Sequence, residues 1–426
     1  MTTTTEPASE QTLPLSQPPA NGGAGAGRWL VLAAAFLGWM FDGVEMGILP
    51  QIARSALSDL MSGASEETIK WWHQIINAAF LFGAAFGGLV FGWLGDRIGR
   101  VKAMALSILV YSAFTGLLYF VHSPAQIAAL RFLAAIGMGG EWALGVALVM
   151  EVWSSEKLRP FLAGMIGAAA NVGFVLVGLM GALVKVNSSN WRTFALIGAA
   201  PAVLTFIIRL FVPESHKWQQ AQAVKKSKPL TELFGDRGLA VKATLAIGFA
   251  SIALLGTWGA VQNIPAWVGG MPNKTPAAQG NVIMMLGIGA IVGCFIAPLL
   301  AAVLDRRICY FILCLLSLIC CQTLFRRFHD YSTGLLLMNF LVGATTAALY
   351  GWLPLYLPEL FPTRVRATGQ GIAFNFGRIL AGIGAIWGGT LGGTYARMGA
   401  IVSLVYIVGM LLIWIAPETK GKPLPE

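Results

Sequence analysis

Gly92-Trp-Leu-Gly-Asp96-Arg97-Ile-Gly99-Arg100-Val-Lys102 is a short polar interruption between two long apolar runs, and its core returns later in the chain. Asp96-Arg97 recurs 209 positions on as Asp305-Arg306. Glu151, with Arg159 eight residues after it, recurs 208 positions on as Glu359, with Arg366 seven after it. Pro213-Glu214 recurs as Pro417-Glu418. Every copy sits at the end of an apolar run. Two parallel halves, each mostly lipid-soluble, imply a membrane transporter whose substrate site lies between the halves.

Composition names the same solvent. Apolar residues make up 56% of the chain and charged residues 11%, with a mean hydropathy of +0.71. Soluble domains carry about 25% charged residues. The 51 glycines would weaken a soluble helical protein, but in lipid small residues let helices approach closely. Cys294, Cys309, Cys314, Cys320 and Cys321 lie in apolar stretches at irregular spacings and read as buried, inert thiols.

Twelve apolar runs follow one another near 29–50, 72–94, 102–121, 125–150, 161–186, 191–212, 241–268, 278–303, 308–325, 333–357, 367–392 and 398–416. Most reach the roughly 20 residues that cross a bilayer. The expected organisation is a disordered tail (1–27), a six-helix half (28–213), a polar linker (214–240), a second six-helix half (241–416) and a short tail (417–426). With both termini, the tails and the linker cytoplasmic, the inner segments hold 18 of the 29 Lys and Arg residues and the outer loops eight. That bias fits the positive-inside rule. The net charge of +10 is therefore a topology signal, and no nucleic-acid partner is expected.

The quoted loop, with Gly92, Asp96, Arg97, Gly99, Arg100 and Lys102 in place, matches the signature of the major facilitator superfamily at every specified position. Glu359-Leu-Phe-Pro-Thr-Arg-Val-Arg-Ala-Thr-Gly369, Pro213-Glu214-Ser215 and Pro417-Glu418-Thr419-Lys420-Gly421 resemble its sugar-porter-like branch, which includes bacterial metabolite:proton symporters. The resemblance runs from about residue 28 to the end of the chain. It implies an all-α membrane fold with twelve transmembrane helices, inserted as a multi-pass protein of the inner membrane. It also implies gating by the cytoplasmic charges, with arginines pairing to Glu151 or Glu359 across the halves; plain positive-inside anchoring is the alternative. The second copy has Ala301, Ile308 and Cys309 where the signature has Gly, Gly and Arg, so the first copy is expected to weigh more in switching.

Charges inside the apolar runs need partners or a wet cavity. Asp42 lies some eight residues from the end of the first run, about 12 Å deep at 1.5 Å per residue. Arg131 in the fourth run lies at similar depth, so an Asp42–Arg131 pair is expected, either proton-sensitive or a permanent bridge. Sugar porters that couple to protons look similar here. Glu45, three residues from Asp42, and Glu141 in Gly-Glu-Trp142 resemble carboxylate symporters, and clustered acids suit a proton carrier. Glu141 as a plain interhelix hydrogen-bond partner is the alternative. Arg209 lies four residues before Pro213 and reads as snorkelling.

Arg378, after Asn375 in the eleventh run, has no acid within its own half's helices. Its counter-ion is Asp42, Glu45 or a substrate anion, which a guanidinium holds bidentately; an interhelix lock is the alternative. Trp39, Trp142, Trp258, Tyr350, Trp352, Gln262 and Asn263 are candidate cavity residues. The paired glutamines of sugar porters are missing, which disfavours sugar. No nucleophile–base pair or metal-ligand spacing appears, so neither enzyme chemistry nor a cofactor is expected. The expectation is a monomeric symporter of protons and a small organic anion, a monocarboxylate or aromatic acid. A sugar, polyol or amphipathic compound is the second reading.

Overall fold

The computed structural model describes residues 24–139, 149, 158–200, 229–391, 393–422 and 425, and these contain helices and turns but no strand. The first half supplies α1 (Ala24–Leu60), α2 (Glu66–Ile98), α3 (Arg100–Gly116), α4 (Pro124–Met138), α5 (Arg159–Val184) and the short α6 (Trp191–Ala195). After α7 (Pro229–Gly235) come α8 (Arg237–Gly259), α9 (Ile264–Val268), α10 (Ala278–Val303) and α11 (Arg306–Arg327). The second half closes with α12 (Thr333–Leu360), α13 (Thr363–Thr390), α14 (Tyr395–Val402) and α15 (Val405–Leu412).

Among the described residues, ten stretches are long and apolar enough to span a bilayer, and Pro124–Met138 is a shorter apolar helix. The fourth and sixth runs continue into residues outside the described set. Large apolar side chains face outward, with Leu183 73% and Val303 74% exposed. In water that pattern would be costly; in lipid it is the solvent-facing surface. Helix ends follow local chemistry. Ser65, Ser123, Ser332 and Thr394 each accept a backbone N–H at a helix start, and Pro124 sits at the first turn where its missing N–H costs nothing.

The same packing order appears twice. In the first half α1 lies along α5 and α2 along α4; in the second, α8 lies along α13 and α10 along α12. Two seams join the halves, α2 against α13 and α5 against α10. At the α5–α10 seam Gly178 and Gly280 face each other across the crossing. A Cβ on Gly280 would come within 2.5 Å of the Gly178 carbonyl oxygen, so only glycine permits this approach.

The seventh run breaks. Ala260 leaves helical geometry after α8, a 3-10 turn spans Val261–Asn263, and α9 resumes. Asn263 Nδ2 donates to the carbonyls of Trp258 and Gly259 at 3.3 and 3.2 Å, satisfying groups freed by the break.

At the opposite end of the bundle the C-terminal segment caps α11. Asp305 occupies the cap position without a side-chain cap bond. The Glu418 carboxylate instead accepts from the backbone N–H groups of Arg306 and Arg307, each at 3.1 Å. Partial burial pushes the Glu418 carboxyl up, but the N–H donors of Lys420, Arg307, Arg306 and Thr419 outweigh it and hold it below its ordinary value near 4.5. A depressed acid stabilises the fold above its unfolded value, and the effect is lost as pH falls through the lower native one. Glu418→Ala should cost about 0.5–2 kcal/mol, as for a lost helix cap. The check is proteolysis of the C-terminal segment at neutral pH, which should be faster in the variant and unchanged if the cap carries nothing.

The cavity between the halves

A cavity of about 160 Å³ lies between the halves, with walls from α1, α2, α5, α8, α10, α12 and α13. This is smaller than the roughly 300–1,000 Å³ of drug-sized pockets, so it suits a small ligand. Trp39, Phe80, Phe174, Trp258 and Phe374 are the larger apolar side chains of a mainly apolar lining. Asn171, Thr257, Gln262, Thr346 and Tyr350 are its neutral hydrogen-bonding side chains, and Asp42 and Arg378 are its charges. Tyr350 donates its hydroxyl to Thr257 at 3.1 Å, and Phe80 packs on Trp258 with ring centroids 4.7 Å apart.

Arg378 reaches across the α2–α13 seam. Its Nη1 donates to the carbonyls of Ala84 on α2 and Gly139 after α4, at 3.3 and 3.1 Å, and to Asn375 Oδ1 at 3.2 Å. The carbonyls come together because Gly139 crosses α2 where a Cβ would lie 2.0 Å from the Ala84 oxygen. Asn375 is buried at the seam against Gly88, off the cavity wall. Its role is to hold the guanidinium, one helical turn away. Asp42 and Tyr350 line the same cavity as Arg378. Asp42 from one half and Arg378 from the other therefore line one mainly apolar space.

The expected Asp42–Arg131 pair is replaced by another. Arg131 Nη1 is bound to Glu45 Oε1, with the two side chains each 1% exposed, and the Thr115 hydroxyl donates to the same oxygen at 3.1 Å. The guanidinium also lies 4.6 Å over the Phe80 ring. The reason is the length of α1, which continues through Pro50 to Leu60. Asp42 thus stands at the middle of the helix, not near its end, and Glu45, a turn closer to that end, meets Arg131. Phe80 is shared, one part of the cavity wall and the platform under Arg131.

Other expectations also move. Gln262, Trp39, Trp258 and Tyr350 line the cavity. Asn263 does not; it closes the helix break and accepts from Gln74 Nε2 at 2.6 Å. Trp352 is buried in the second half's core, stacked on Tyr356 with centroids 4.5 Å apart. Glu359 pairs with Arg306 of its own half, at 3.0 and 2.8 Å. The start of α11 and the end of the antiparallel α12 meet there, and the Thr419 hydroxyl joins at 2.6 Å. Asp305 reaches Lys420 at 3.8 Å on an exposed surface. Glu141, Trp142, Glu151 and Arg209, and the side chains of Asp96, Arg97, Arg100, Arg159 and Arg366, lie outside the described residues. Gly99, φ +108°, makes the turn between α2 and α3, a few residues after Gly92 on α2 and before the exposed Lys102. The five cysteines are free thiols, four of them buried, and no metal-ligand group occurs among the described residues.

One element went unread in the sequence. Lys70, His73, Gln74 and Asn77 form a stripe of period three and four on α2, all buried. Lys70 Nζ donates to the carbonyls of Leu391 and Gly393 at 2.9 and 2.8 Å, and His73 Nδ1 lies 3.4 Å from the Tyr395 hydroxyl. With the Gln74–Asn263 bond, these contacts latch the halves at the end carrying the 61–65 loop. The i, i+3, i+4, i+7 spacing was the available signal.

Comparison with known proteins agrees with this architecture. Residues 30–385 match the family described as Major Facilitator Superfamily. An inner membrane metabolite transport protein of Escherichia coli is 28% identical over 386 residues, covering 82% of this chain and 84% of that protein. The cis,cis-muconate transport protein of Acinetobacter baylyi is 26% identical over 411 residues, covering 91% and 95%. Among solved structures, a D-xylose–proton symporter superposes with a TM-score of 0.74 at 17% identity, over 93% of this chain and 99% of that one. That likeness is one of fold.

Proposed function

We propose, since the chain belongs to the Major Facilitator Superfamily, that this multi-pass membrane transporter carries a small organic anion together with a proton. Twelve helices in two halves (28–213 and 241–416), joined by the 214–240 linker with both termini cytoplasmic, would rock about the central cavity. The observation that carries the reading is the placement of Asp42 from one half and Arg378 from the other in the lining of one mainly apolar cavity. An ionised Asp42 competes with a substrate carboxylate for the Arg378 charge. A proton on Asp42 removes that competition, so the anion binds with its proton. Arg378 Nη1 is already committed to backbone carbonyls, which leaves the rest of the fork for the ligand. Glu45 and Arg131, off the cavity wall, keep each other neutral as a pair.

The muconate carrier among the relatives supports a carboxylate cargo, and the sparse amide lining argues against a sugar. The test is ligand binding to purified wild type, Arg378→Lys and Arg378→Ala, with folding checked by size-exclusion chromatography. Losing a charge-assisted bond to a desolvated carboxylate costs roughly 2–4 kcal/mol, or about 30- to 1000-fold in affinity for benzoate or cis,cis-muconate. Lysine should rescue poorly, because it lacks the planar fork. A folded Arg378→Ala that binds both acids as tightly as wild type would make Arg378 a lock between helices and favour a neutral cargo.

A further inference from the structure

The latched end of the bundle holds a second cavity, of about 430 Å³, used by no step of the cycle proposed above. Arg54 and Ser58 of α1 and the Lys185–Asn187 turn after α5 form one side, and Lys274 and Thr275 of the second half form the other. Three cations face it, and no carboxylate is among its lining residues. Arg54 is neutralised, since its two Nη atoms hold the two carboxylate oxygens of Glu66. Lys274 Nζ is bound to the Gly269 carbonyl, a neutral partner. Lys185 has no ion-pair partner among the described residues. Two ammonium charges, one from each half, thus remain uncompensated at one opening.

The backbone adds an independent observation. Among the described residues, the non-glycine positions with positive φ are Lys185 and Asn273, at 54° and 55°. Lys185 lines this cavity, and Asn273 immediately precedes the lining residue Lys274. Lys185 ends α5 in the left-handed region, where glycine is the usual occupant. A lysine kept in a conformation that disfavours it is the kind of local strain found at functional sites.

We infer that this cavity binds a small organic dianion whose two carboxylates bridge Lys185 and Lys274. A monoanion neutralises one of these charges and a dianion both. Ser58, Asn187 and Thr275 offer neutral donors beside them. Because the lysines belong to different halves, the bound dianion holds this end closed. This second, weaker site rests on the anion reading of the central cavity.

The experiment titrates detergent-purified protein with cis,cis-muconate or benzoate, following intrinsic fluorescence and thermal stability at constant ionic strength set by sodium chloride. In Arg378→Ala a weak, saturable muconate phase should persist, about two- to fivefold tighter than for benzoate, as expected for one added exposed ion pair. Adding Lys185→Gly or Lys274→Gln should remove that phase. With Arg378 intact, the same lysine variants should keep the tight phase. Lys185→Gly also relieves the backbone, so its loss of binding cannot be put down to a poorer fold. A weak phase absent from Arg378→Ala, surviving in both lysine variants, or reproduced by sodium chloride alone overturns the inference. Wild type without an Arg378-dependent tight phase overturns the central anion reading instead, while the weak phase is still judged on its own.

Discussion

Asp42→Asn should abolish uphill accumulation in proteoliposomes while counterflow exchange continues. For one proton per anion, a gradient of one pH unit sustains about tenfold accumulation, since one unit corresponds to 1.36 kcal/mol. Asparagine carries no proton and no charge, so it mimics the protonated acid permanently. Anion binding should then lose its pH dependence across the range where wild type shows one. Asp42 shares a cavity with Arg378, whereas Glu45 is tied to Arg131. Wild-type accumulation that survives a protonophore in full would remove proton coupling altogether.

Glu45→Ala should be the most damaging single change to stability. It strands Arg131, which is 1% exposed, without its counter-ion. Breaking a buried pair from one side costs about 3–5 kcal/mol, while replacing both partners with apolar groups is often neutral. Glu45→Leu combined with Arg131→Met should therefore melt near the wild-type temperature, although Glu45→Ala alone melts well below it. The same double variant separates the two acids functionally. If it still accumulates substrate against a gradient, the proton rides on Asp42. Accumulation lost in a stable double variant would return the coupling role to Glu45. A Glu45→Ala protein as stable as wild type would mean the pair contributes nothing.

How much of this was legible follows from what each residue's signal depends on. Apolar runs are readable because lipid demands about 20 consecutive apolar residues from each spanning segment by itself, and the repeated loop marks two halves. Individual contacts were less so. The first apolar run ends at Pro50, yet α1 runs on to Leu60. That extension moved Asp42 to mid-helix and gave Arg131 to Glu45. Two acids three residues apart cannot be told apart as partners until the facing helix is placed. The sequence marks Arg378 as a charge needing Asp42, Glu45 or a substrate anion, or locking helices, but its backbone carbonyl partners are invisible there, since every residue carries the same carbonyl. Starting the second run at residue 72 cut Lys70 from its stripe and hid the latch.

That stripe sets the character of the motion. In the proposed cycle, parting the halves at this end does not strip oil from oil. The Lys70, Gln74 and His73 contacts with Leu391, Gly393, Asn263 and Tyr395 give way to contacts with water, each exchange worth only about 0.5–1.5 kcal/mol net. Heat capacity rises with apolar exposure and falls with polar exposure. An opening built on polar groups thus carries little heat-capacity change. The balance between closed and open at this face then varies almost linearly with temperature, without the curved dome that an apolar opening would impose.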